Sequence, residues 1–194
     1  MTTLNLNRTD DNLKKSIDAL DLDPIKVKLM DEEDGLGWTA QQVDEAEKFY
    51  KRFLFLVGKY PDTPIVPTKQ IDAFWHQHIL DTRKYFSDCI SIFGEYIHHF
   101  PYFGMRSDED AKDLQNAASE TYKLYVRYFG ESVSKLTEIF VKQGENVETV
   151  CSACTPKPPS CNSSCSSCSN DVIPNSLLRP SLPSNAMNKS YAWY

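Results

Sequence analysis

From about residue 10 to about residue 145, apolar positions recur at the three-to-four spacing of helices, with no convincing period of two. Asp10 or Asp11 is the expected cap of a first helix reaching about Leu22. Pro24 opens a second, short helix through Met30, because its fixed φ suits a first helical turn. The glycines of DGLGW break the pattern. From Thr39, the positions Val43, Ala46, Phe49 or Tyr50, Phe53, Leu54 and Val57 trace one buried stripe of a long amphipathic helix that Pro61 stops. PDTPIVPT reads as a loop, Thr68 caps the next helix, and Thr82 restarts a segment ended by Gly94. Ser107, followed by acidic residues up to Asp110, is a capping-box signature for a helix from about Asp108 to Phe129, and SVSKLTEIF supplies a shorter last one. The best strand candidate, EYIHHFPYF, is interrupted by Pro101. The prediction is an all-α fold, a compact helical bundle.

The periodicity stops near residue 150, where Ser, Pro, Asn and Cys take over. Residues 1–148 therefore read as one helical domain and 149–194 as a low-complexity tail, expected to stay disordered by itself because it has too little apolar surface to offset the entropy of ordering. The 194 residues suit one domain with a tail, and 41% hydrophobic with 25% charged residues is ordinary for a globular chain.

A net charge of −6 argues against a phosphate-binding surface, so nucleic acid is not an expected partner. No apolar run approaches the roughly 18 residues of a membrane span, and the first residues lack the apolar segment of a signal peptide. The expectation is a cytoplasmic protein with no membrane partner. In that reducing setting clustered thiols are more often metal-binding or redox-active than paired as disulfides. No Gly-rich phosphate loop occurs, which leaves nucleotide chemistry unsupported.

All four histidines lie between His76 and His99. On a helix over residues 71–81, at about 100° per residue, Phe74, Ile71, Trp75 and Ile79 define an apolar arc, and His78 falls inside it. His76 sits at one border, one turn beyond Asp72, and Asp81 marks the other, one turn beyond His78. His76 and His78 project about 160° apart, so an undistorted helix cannot give both to one ion. The metal constellation this favours is Asp72 with His76, joined by His98 or His99 from the next segment; neighbouring histidines in an extended stretch point to opposite sides, so one of them joins. His78 with Asp81 is the second His/Asp pair, with His78 expected to be buried and hydrogen-bonded. The competing reading makes the histidines structural, each satisfied by a carboxylate in the core. Trp75, Phe74, Phe100, Tyr102 and Phe103 read as packing residues, with a pocket lining as the alternative.

The run IDAFWHQHILDT, with Asp72, Trp75, His76, His78 and Leu80, resembles the D-x-x-W-H-x-H-x-L signature of the glycine-rich-domain-containing protein-like family. YFSDCISIFGEYIHHFPYFGMR, with Cys89, His98, His99 and Gly104, looks like its bacterial form. The resemblance covers about residues 10–145 and implies a helical domain with a variable tail. It implies no defined reaction. This tail is Cys/Ser/Pro-rich where the plant pattern is glycine-rich.

Cys151, Cys154, Cys161, Cys165 and Cys168 form C-x2-C-x6-C-x3-C-x2-C, which supplies enough thiolates for a tetrahedral zinc or soft ligands for Cu(I). Cys89 lies among apolar residues and reads as a buried small hydrophobe. The sequence thus points to divalent transition-metal binding, zinc or iron, through a His/Asp cluster, with a soft-metal tail. The alternatives are a non-enzymatic protein-interaction module, or a modified-peptide precursor whose tail is the substrate of a modifying enzyme. An enzymatic reading built on Cys89 would need that thiol beside a histidine with a depressed pKa.

Overall fold

A computed structural model describes residues 9–142, and among these the regular secondary structure is all helical, with no strand. Seven helices follow one another: α1 (Asp10–Asp18), α2 (Asp23–Met30), α3 (Ala40–Lys59), α4 (Lys69–Leu80), α5 (Thr82–Phe93), α6 (Asp108–Phe129) and α7 (Ser134–Lys142). The expected disordered tail, with its five cysteines, lies outside the described residues.

Local side-chain chemistry fixes most of the helix ends. Thr39 and Gln42 close a full capping box at the start of α3, the Thr39 backbone N–H donating to Gln42 Oε1 at 2.8 Å. Thr68 and Ser107 accept the N3 amides of α4 and α6. Gly94, at φ 79°, ends α5 in the left-handed conformation that costs glycine nothing. At α1 the cap is Thr9, and the helix stops at Asp18 rather than near Leu22. There the Asp21 side chain accepts the Asp23 amide at 3.1 Å, a local turn that competes with continued helix while Leu22 still reaches the core.

Helix α3 is the axis of the bundle and packs against α1, α2, α4 and α7. It buries Val43, Ala46, Phe49, Tyr50, Phe53 and Leu56, a stripe wider than one face, because neighbours surround it. Helix α6 attaches through Tyr125, stacked on Phe49 at 6.0 Å, whose hydroxyl donates to the Phe49 carbonyl at 3.0 Å. Helix α7 closes the far end with Phe140 edge-on to Trp38 at 4.8 Å. The sequence's best strand candidate, residues 95–103, instead lies in an irregular connection beside α4 and carries two of the four histidines there. No helix among the described residues is long and apolar enough to cross a membrane.

Candidate metal centre

The four histidines take three different roles. Asp72 and His76 stand one turn apart on α4, and the connection after α5 brings His99 over them. His99 Nε2 lies 2.9 Å from Asp72 Oδ1 and 3.1 Å from His76 Nε2, while His76 Nε2 is 3.5 Å from Asp72 Oδ2. The three ligand atoms lie within 4.8 Å of one another. Two donors held about 2.1 Å from one ion stand roughly 3.0 Å apart at a right angle and roughly 3.4 Å apart at the tetrahedral angle. The two contacts of His99, at 2.9 and 3.1 Å, match the right-angle spacing and are compatible with a shared cation. A single hydrogen on His99 Nε2 serves either Asp72 or His76 well, not both.

His99 reaches this position because the connection is anchored just before it. The Trp75 indole donates to the Tyr85 hydroxyl at 2.9 Å, and that hydroxyl donates onward to the Ile97 carbonyl at 2.7 Å. With buried Ile97 facing the core, alternation in the extended segment turns His98 out to solvent and His99 back inward. His99 then packs on Trp75 at 4.6 Å between ring centres, whereas His98 lies against Tyr96 at 4.8 Å. The structure thus chooses His99 over His98.

His78 is 2% exposed, as its place in the apolar arc predicts. Its partner is not Asp81. Its Nε2 lies 3.0 Å from Asp88 Oδ2 on α5 and its Nδ1 2.9 Å from the Tyr50 hydroxyl on α3. Helix α4 ends at Leu80, so the helical projection placing Asp81 above His78 runs one residue too far; the Asp81 carboxylate instead accepts the Lys84 amide as the cap of α5. Desolvation pushes the His78 pKa below its ordinary value despite the Asp88 carboxylate, and burial pushes the Tyr50 phenol well up. The consistent assignment is a neutral imidazole that donates from Nε2 to Asp88 and accepts the Tyr50 proton at Nδ1. Both ring nitrogens are occupied, and among the described residues the His/Asp donors that converge are those of Asp72, His76 and His99. Lys84, 2.8 Å from Asp88, balances the remaining charge.

A pocket of about 230 Å³ adjoins the triad, with Asp72, Trp75 and His99 in its wall. Phe100 and Phe103 also line it, so these two belong to a pocket as well as to packing, while Phe74 is core and Tyr102 is exposed. The pocket-lining alternative of the sequence fits Trp75, Phe100 and Phe103, whereas the Tyr50 and Asp88 partners of His78 have no local sequence signal. A larger cleft, of about 650 Å³, lies between α1, α3 and α6. Three of the bases lining it are paired, Lys48 with Glu131 at 3.2 Å, Lys51 with Glu47 at 2.8 Å and Arg52 with Glu131 at 2.7 Å. Cys89 is buried, and burial pushes its thiol pKa up, so it carries no thiolate for nucleophilic chemistry.

The chain belongs to the UCP032817-like family, whose model matches residues 14–126. The match takes in Asp72, His76 and His99 and stops short of the cysteine tail. No curated protein and no solved structure matches the chain.

Proposed function

We propose that this protein binds a divalent transition metal through Asp72, His76 and His99. The observation that carries the reading is the convergence of His99 Nε2 on both Asp72 and His76 from a separate segment of the chain. Two imidazoles and one carboxylate suit zinc or ferrous iron. Three protein ligands leave coordination positions open, the pattern of centres that act on a ligand rather than of purely structural ones. His76 is half exposed and faces solvent, while Asp72 and His99 also face the pocket, so such an ion is reachable from both sides. The ion would supply Lewis acidity; the protein's own contribution is to fix the three donors, through the helical turn between Asp72 and His76 and the Trp75–Tyr85–Ile97 chain behind His99.

The tail cysteines extend this reading to a second, softer site for zinc or Cu(I), supported by their spacing; in the cytoplasmic setting this proposal includes, such thiols stay reduced. The likeness of IDAFWHQHILDT to the glycine-rich-domain-containing protein-like signature belongs to the same proposal, since that signature contains Asp72 and His76. The test is elemental analysis and zinc titration of the full chain against Asp72→Ala, His76→Ala and His99→Ala. One equivalent lost in each variant supports the site. Undiminished binding in all three overturns it.

A further inference from the structure

We infer that the pocket beside the triad receives the apolar body of a small monocarboxylate whose carboxylate closes the coordination of the bound ion; this inference rests on the metal reading above. Asp72 and His99 lie in the pocket wall, which also includes Phe53, Val57, Ile65, Trp75, Phe103 and Leu114. Those side chains offer a ligand burial, and the only ionisable groups in the wall are Asp72 and His99, so recognition of a charged head group falls to them and the ion they would hold. At about 230 Å³ the space is smaller than typical drug-sized pockets and suits a body of roughly ten non-hydrogen atoms.

Charge selects the head group. Two neutral imidazoles and one carboxylate leave a divalent ion with one net positive charge, which favours an anionic oxygen donor over a cationic or neutral one. No lysine or arginine is among the residues lining the pocket, so nothing else at this site compensates a carboxylate. Without the ion, the nearest formal charge is Asp72 itself, which repels an anion. Binding is therefore strictly metal-dependent, and its strength rises with the apolar body that Phe53, Trp75 and Leu114 cover.

The experiment uses the full chain with Cys151, Cys154, Cys161, Cys165 and Cys168 replaced by serine, loaded with Co²⁺, whose visible absorption reports its ligands. Titration with 3-phenylpropanoate should shift that spectrum with affinity at least about tenfold above acetate, the gain expected from burying a phenyl group. 3-Phenylpropan-1-ol should bind more weakly than the acid, and the acid should not bind the metal-free protein. Leu114→Trp, which fills the pocket, should abolish the preference for 3-phenylpropanoate while acetate and Co²⁺ still bind; Phe103→Ala, which enlarges it, should shift preference to a longer acid. If no Co²⁺ binds the parent, the metal reading fails. If Co²⁺ binds but the phenyl acid is no tighter than acetate, or binds equally without metal, the metal site stands and this inference falls.

Discussion

The Tyr50 hydroxyl and His78 Nδ1 lie 2.9 Å apart in the core, joining α3 to α4, and Asp88 completes the link to α5 from the other ring nitrogen. Three helices are thus tied through one imidazole with no unpaired ring nitrogen. Removing it leaves both a cavity and two buried groups without partners.

His78→Ala should therefore destabilise the protein by about 2–4 kcal/mol, the sum of a cavity and lost bonding. Tyr50→Phe should cost about 1–2 kcal/mol, and the two changes combined should cost less than their sum because they break one network. Denaturant unfolding measures all three. Zinc binding per folded molecule should be unchanged in Tyr50→Phe.

Stability should depend on pH through the same residue. Burial holds the folded pKa of His78 below its ordinary value of 6.5, so as pH falls through that value the unfolded chain takes up a proton that the folded one refuses. The stability is fully present above about pH 6.5 and erodes below it, down to the folded pKa. Denaturant midpoints of the metal-free protein, measured with chelator from pH 8 to pH 5, should fall on the acid side. His78→Gln, less stable throughout, should show a shallower slope. An equal slope would place the acid sensitivity elsewhere.

The neighbouring histidines should separate cleanly. His99→Ala should remove stoichiometric zinc binding from the helical domain, a loss of at least about 100-fold in affinity for a missing ligand. His98→Ala should bind as the parent does. Isothermal titration with the tail cysteines replaced by serine reads both, and a metal loss in His98→Ala would show that the connection swings its other imidazole inward.

Gly104 sits at φ 82°, and a Cβ there would come within 2.5 Å of Leu114 Cδ2. Gly104→Ala should cost about 1–3 kcal/mol from left-handed strain and the clash. Because Leu114 lines the pocket, the change should also alter occupancy by 3-phenylpropanoate on Co²⁺-loaded protein, whereas Gly130→Ala, at φ 67° with open space around its Cβ, should cost stability alone.

Truncation after Glu148 should leave the helical circular dichroism and a cooperative unfolding transition in place while abolishing soft-metal uptake. Thiols must ionise to bind, so that uptake in the full chain should release protons and weaken as pH falls. Collapse of the helical signal would move the domain boundary. Unchanged Cu(I) or zinc stoichiometry would take the tail out of metal binding.

The sequence by itself determined what depends on neighbours within about four residues. Thr39, Thr68, Ser107 and Gly94 mark helix ends because caps act on the adjacent turn, and the burial of His78 and the pairing of Asp72 with His76 follow from helical repeat alone. Where a local signal failed, the chain changed direction within one or two residues: Asp81 was assigned to His78 on a helix that had already ended, and α1 yielded to the Asp21 turn. Only the tertiary structure decided what happens between segments. Tyr50 and Asp88 reach His78 from 28 and 10 residues away, and Ile97, held by Tyr85, sets the alternation that sends His99 rather than His98 to Asp72. Those distances are closed by the packing of α3, α4 and α5 around a shared core, a many-body outcome that no local repeat encodes, and the pocket beside His99 is likewise assembled from separate segments, α3, α4, α6 and the loops at 64–67 and 99–103.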